Sequence, residues 1–165
     1  MKTLLLLRHA KSSWANPEME DFDRPLNKRG KRAAADLGAW LRAEGWVPDE
    51  ILCSAARRTR ETCERMKTDC APTLLEDIYE APPGQLLAAV QGARGETVMM
   101  VGHNPGIGSL AQYLARETPQ HPRFGDYPTG ALTILRFDLE DWADIQPGSG
   151  DVVTFLTPHD LATDG

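Results

Sequence analysis

At 165 residues, with 41% hydrophobic and 25% charged side chains, the chain has the composition of one ordinary globular domain spanning residues 1–165, and neither disorder nor a fibrous repeat fits it. A formal charge of −6 argues against a nucleic-acid or anionic-membrane surface, which needs a net basic footprint, so any phosphate chemistry must rest on a few local cations. The three cysteines, Cys53, Cys63 and Cys70, form no CxxC or Cys/His ligand pattern; neither a disulfide framework nor zinc is indicated, and a reducing cytoplasm is the expected location.

The first element is the apolar run at residues 3–7, long enough for one buried strand. Arg8 cuts it short of a signal-peptide core, and no stretch approaches the roughly 18 apolar residues of a membrane span. The strand stops at Arg8 and His9 rather than at a glycine or asparagine turn. Residues 15–25 are rich in Pro, Asp and aromatic side chains and read as a loop, with Asp21, Asp23 and Arg24 closing a salt-bridged turn. Asn27 is a plausible N-cap for a helix to Glu44 that puts Ala33, Ala34, Leu37, Trp40 and Leu41 on one face, and Gly45 stops it.

A second strand covers residues 50–53, and Ser54 is expected to cap a helix running to about Lys67. Residues 83–93 and 107–116 read as helices around a strand at 97–101, and residues 117–128 form a second long loop. The strands at 131–137 and 151–156 are separated only by EDWADIQPGSG, which holds no amphipathic helix, so an antiparallel edge pair follows. Strands alternating with helices predict an α/β fold: a three-layer α/β/α sandwich on a mainly parallel central sheet with an antiparallel edge.

In such sheets ligands bind beyond the carboxyl ends of the strands. Three ends carry chemistry: Arg8-His9; ILCSAARRT, with Arg57 and Arg58 in the first turn of the next helix; and VMMVGHNPG, with His103 in a glycine-flanked turn. Arginines at a helix start oppose the macrodipole, which makes a purely structural role for Arg57 and Arg58 odd. Together the groups form a pocket for a dianion, because guanidinium forks match phosphate oxygens and free helix amides add donors. No Walker-type GxxxxGK[ST] sequence is present. Cations beside His9 and the lack of a carboxylate cluster at that strand end leave no metal site indicated. An imidazole beside arginines has its protonated form disfavoured, so His9 is expected to be a neutral nucleophile toward phosphorus, with Arg8, Arg58 and His103 binding the equatorial oxygens. Lys11, Ser12 and Ser13 follow the nucleophile and could touch phosphate, or equally form a solvated loop. His121 and His159 read as surface residues.

RHAKSSW, DFDRPLNKRGKRAAADLG, ILCSAARRTRET, VGHNPG, PTGALTILRFD and FLTPHDLA together resemble the histidine phosphatase superfamily, with its phosphoglycerate-mutase-like fold, and most of all its small SixA-type phosphohistidine phosphatases. The resemblance implies that His9 is the residue phosphorylated, that Arg58 is the family's second arginine with Arg57 as fallback, and that His103 is its second histidine. Ala55 stands where the family usually has proline. The family's acid, a glutamate in many esterase and mutase members, falls within LLEDIYEAPPG, where Glu80 is the best candidate and Asp77 the next. Phosphohistidine needs such an acid less, since imidazole leaves more readily than an alkoxide, and the chain has little room for a substrate-recognising lid. The expected activity is a cofactor-free, metal-independent phosphatase acting on phosphohistidine in a protein. The alternatives are a small-molecule phosphomonoesterase or mutase using Glu80, and a phosphoprotein-binding module without turnover.

Overall fold

The computed structural model describes residues 1–164. Six strands form one sheet in the order β3-β2-β4-β1-β5-β6: β1 (Lys2–Arg8), β2 (Glu50–Ser54), β3 (Pro72–Leu75), β4 (Thr97–Gly102), β5 (Leu132–Phe137) and β6 (Asp151–Leu156). The pairings among β3, β2, β4 and β1 are parallel, whereas β5 runs antiparallel to both β1 and β6. The mainly parallel sheet with an antiparallel edge pair is therefore present.

The four-leucine run is explained by burial on both faces. Leu4 and Leu6 join Val98 and Met100 beneath α3 (Pro83–Gln91) and α4 (Gly106–Leu114). Leu5 and Leu7 join Met99 and Val101 beneath α1 (Lys28–Glu44) and α2 (Arg57–Met66). A central strand alternating between two cores has no face left for water, so its sequence reads as continuously apolar.

Helix α1 follows its expected punctuation: the Asn27 side chain accepts from Gly30 N, and Gly45 closes the helix in the left-handed conformation at φ 77°. Its first turns press on the chain just past the nucleophile. Asn27 N donates to the Lys11 carbonyl at 3.0 Å, and a Cβ on Gly30 would lie 2.0 Å from that same oxygen.

Three elements depart from expectation. Ser54 does not cap α2: it is the last residue of β2, in register with Leu75, and Ala56 is the N-cap without a side-chain cap bond. The edge strand β3 was not anticipated, because Pro72, Thr73 and Leu74 are all exposed and write no burial pattern; proline is tolerated there because an edge has a side without ladder bonds. Helix α5 (Pro158–Asp164) was also missed, although TPHD is a capping-box pattern with aspartate in place of glutamate. Asp160 Oδ2 accepts from Thr157 N at 2.8 Å, and Asp160 N donates to Thr157 Oγ1 at 3.4 Å. His121, expected on the surface, is half-buried, with Nε2 2.9 Å from Asp160 Oδ2 and its ring against Phe155 at 4.8 Å.

Candidate active site

Because β1, β2 and β4 are mutually parallel, their carboxyl ends share one edge of the sheet. Arg8 ends β1, His103 directly follows β4, and Arg58 lies in the first turn of the helix after β2. They surround an open cleft of about 470 Å³ whose wall also includes His9, Lys11, Ser12 and Glu80.

His9 is almost fully buried, at 5% exposure. Its Nδ1 lies 2.7 Å from the Ala10 carbonyl, an acceptor only, so Nδ1 carries the proton and Nε2 keeps the lone pair. Arg58 Nε donates to that lone pair at 3.3 Å, the long end of a hydrogen bond, so little is lost when the donor turns to an arriving oxygen. His103 stands beside it, ring centroids 5.3 Å apart. His103 Nε2 is 2.8 Å from Ser54 Oγ, and that same oxygen accepts from Ala56 N at 3.3 Å. Ser54 Oγ has no other acceptor for its proton among the described residues, so the hydroxyl is assigned as donor to His103 Nε2, which puts the proton of the neutral ring on Nδ1. Among the described residues His103 Nδ1 and Arg8 Nε are buried without a hydrogen-bond partner, and both residues line the cleft.

Burial is the main reason both imidazoles resist protonation. It is the largest cause holding His9 down to about 3 from an ordinary 6.5, with His103 and the two arginines adding smaller contributions. His103 is likewise lowered to about 3, first by burial and then by the Arg58 charge. The arginine charges, which the sequence alone brings forward, are the smaller cause. Since both rings bind fewer protons folded than unfolded between those values, stability is full above pH 6.5 and falls as pH drops toward 3. The resonances of His9 and His103 should therefore keep neutral-ring shifts from pH 8 to pH 5, while chemical denaturation shows unfolding free energy declining with acid; a ring titrating near 6.5 would contradict the assignment.

One carboxylate organises the cations. Asp21 Oδ2 accepts from Arg58 Nη2 at 3.0 Å and from the Tyr79 hydroxyl, Asp21 Oδ1 accepts from Arg24 Nε at 3.0 Å, and the Asp21 carbonyl takes Arg58 Nη1 at 2.7 Å. Burial alone would raise the Asp21 pKa, but the hydrogen bonds from Tyr79 and Arg24 and the charge of Arg58 hold it well below the usual range. Burial and then the bond to Asp21 push the Tyr79 hydroxyl up to about 12. Arg24 also reaches Ser12 Oγ at 2.6 Å and stacks on Trp14 at 3.5 Å.

The expected residues thus divide. Arg8, His9, Arg58 and His103 converge, with Lys11, Ser12 and Glu80 on the cleft wall; Glu80 is exposed and held at a left-handed φ of 53°. Arg57 does not line the cleft: it is exposed and donates to Glu61 Oε2 at 3.2 Å, because on a helix its neighbour Arg58 takes the inward face. Asp77 does not line it either. Sequence reasoning missed that Asp21 and Arg24 reach the site, since a salt-bridged turn looks the same wherever it packs. It also missed the contact of Ser54 with His103, which the strand-end rule would have found one residue earlier. Among the described residues no three His, Cys, Asp or Glu side chains gather as metal ligands, and no helix is long and apolar enough to cross a membrane.

Comparison with known proteins places this geometry in a family. The profile of the histidine phosphatase superfamily (branch 1) matches residues 4–86. An uncharacterized protein of Mycobacterium tuberculosis is 35% identical over 93% of this chain and its own whole length. The structure of a protein proposed to be the phosphohistidine phosphatase SixA of Nakamurella multipartitia superposes with a TM-score of 0.84 at 28% identity, over 95% of this chain and 96% of its own. One proposed to be SixA of Agrobacterium tumefaciens gives 0.76 at 26%, over 95% and 98%. Sequence profile and three-dimensional likeness agree over a phosphoglycerate-mutase-like architecture, and the chain belongs to the histidine phosphatase superfamily, on its SixA-like side, as a phosphatase.

Proposed function

We propose that the protein hydrolyses phosphohistidine on a protein surface through a covalent intermediate on His9. The observation that carries this reading is the paired arrangement at the cleft: a buried neutral imidazole whose unprotonated Nε2 accepts only a long bond from Arg58, and two buried donors on cleft residues, Arg8 Nε and His103 Nδ1, that have no partner among the described residues. Leaving such groups unsatisfied costs roughly 1–3 kcal/mol each, a cost removed when phosphoryl oxygens accept from them. His9 Nε2 attacks phosphorus, the bond from phosphorus to the substrate imidazole breaks, and that imidazole takes a proton from solvent. Water then attacks the phosphorylated His9 on phosphorus, releasing inorganic phosphate and restoring the lone pair. Arg8, Arg58 and His103 Nδ1 hold the equatorial oxygens through both steps.

Openness of the cleft and the phosphohistidine phosphatase descriptions of the similar structures support a protein-borne substrate. The test is a panel of a phosphohistidine protein, a sugar phosphate and an aryl phosphate, with quenching in alkaline detergent to preserve phosphate on the enzyme; absence of acid-labile, alkali-stable phosphate on His9 during turnover would refute the mechanism. A phosphomonoesterase reading has one observation in its favour, the place of Glu80 on the cleft wall. Glu80→Gln should cut alkyl-ester hydrolysis by about 10²-fold if Glu80 is the acid that an alkoxide requires. Phosphohistidine hydrolysis should fall far less, and comparing kcat for the two substrates decides between them.

A further inference from the structure

The catalytic cleft continues into a cationic track. Lys11 and Arg123 line both the cleft and an adjoining hollow of about 210 Å³, and Arg29 and Pro158 carry that hollow into a third of about 230 Å³, between α1 and α5, whose wall includes Arg32. Arg123 is paired with Asp126 at 2.9 Å. Lys11, Arg29 and Arg32 make no side-chain ion pair or hydrogen bond among the described residues. Among the described residues the only carboxylate on the wall of the third hollow is Asp36.

This concentration runs against both the chain and the helix. The protein carries a net charge of −6, yet α1 opens with Lys28, Arg29, Lys31 and Arg32 and has no acid in its first turn. The positive end of a helix macrodipole disfavours cations there, so their grouping calls for an external anion. On the cleft wall Trp14 is 74% exposed, with the Arg24 guanidinium over its ring at 3.5 Å and the rest of the ring available as an anchor.

We propose that this track binds an acidic polypeptide segment flanking the phosphorylated residue of the substrate, with Arg29 and Arg32 meeting its carboxylates while the phosphoryl group sits over His9. The inference rests on the phosphoprotein reading above. An acidic peptide fits better than nucleic acid because the cations form a short run on an otherwise acidic surface, which would repel a long polyanion.

Two short peptides with one histidine phosphorylated by phosphoramidate provide the test, one flanked on both sides by four glutamates and the other by four glutamines. Wild-type enzyme should show kcat/KM at least tenfold higher for the glutamate peptide at low salt, carried by KM, with the advantage shrinking at 0.5 M salt. Arg29→Glu combined with Arg32→Glu should erase the preference and leave kcat on the glutamine peptide and on p-nitrophenyl phosphate within twofold. Equal wild-type kcat/KM for the two peptides would overturn the track alone. Failure to hydrolyse either peptide while p-nitrophenyl phosphate is cleaved would overturn the phosphohistidine reading itself. Stronger competition from a twelve-nucleotide oligo-dT than from the unphosphorylated glutamate peptide would reassign the track to nucleic acid and overturn the proposal.

Discussion

His9→Ala enzyme should turn over phosphohistidine at no more than about 10⁻⁴ of the wild-type rate, and it should carry no acid-labile phosphate after mixing with substrate. The expectation follows from the site's division of labour. Only Nε2 of His9 offers an unprotonated lone pair at the floor of the cleft, since His103 shares its own Nε2 with Ser54. The removed ring is buried and makes one backbone hydrogen bond and one from Arg58, so the variant should remain folded. Phosphate binding by isothermal calorimetry should persist, because Arg8, Arg58 and His103 are untouched. Retained turnover above 1% of wild type would mean that a different group attacks phosphorus.

Arg58→Ala should lower kcat by about 10²–10³-fold, the range for removing one preorganised donor from a developing oxyanion. Its signature differs from that of His9→Ala. Burial, not the arginine charge, is the main cause of the lowered His9 pKa, so the nucleophile stays neutral and a slow but detectable burst of His9 labelling should survive. Arg58→Lys should recover no more than a tenth of the lost activity, since an ammonium supplies charge without the planar fork that grips both the Asp21 carbonyl and its carboxylate. Loss of less than tenfold on Arg58→Ala would place the arginine outside the phosphoryl clamp.

Much of this site is written in short stretches of sequence. Arg8, His9 and His103 follow strands so apolar that their ends are unmistakable, and Arg58 follows at a helix start where a cation is electrostatically out of place. The strands β1, β2, β4 and β5 were legible because burial on both faces leaves nearly continuous apolar runs, and the edge strand β6 because Val152, Val153, Phe155 and Leu156 are still apolar, while β3 was not, because Pro72, Thr73 and Leu74 are exposed and write no pattern. Asp21 and Arg24 were legible as partners but not as parts of the site: their loop reaches Arg58 across 37 residues of chain, and nothing local in DFDR records where that loop lands. The weight of burial over charge in keeping the histidines neutral was also hidden, since depth is a property of the finished packing.

The close approach of Gly30 to the Lys11 carbonyl locks the start of α1 onto the strand end that carries the nucleophile. The start of α1, which bears Arg29 and Arg32, is wedged against the residue two places past the nucleophile, with no space for even a methyl group between them. A side chain at position 30 would therefore displace the backbone that follows the attacking ring, so the helix start and the turn after the nucleophile keep their places together.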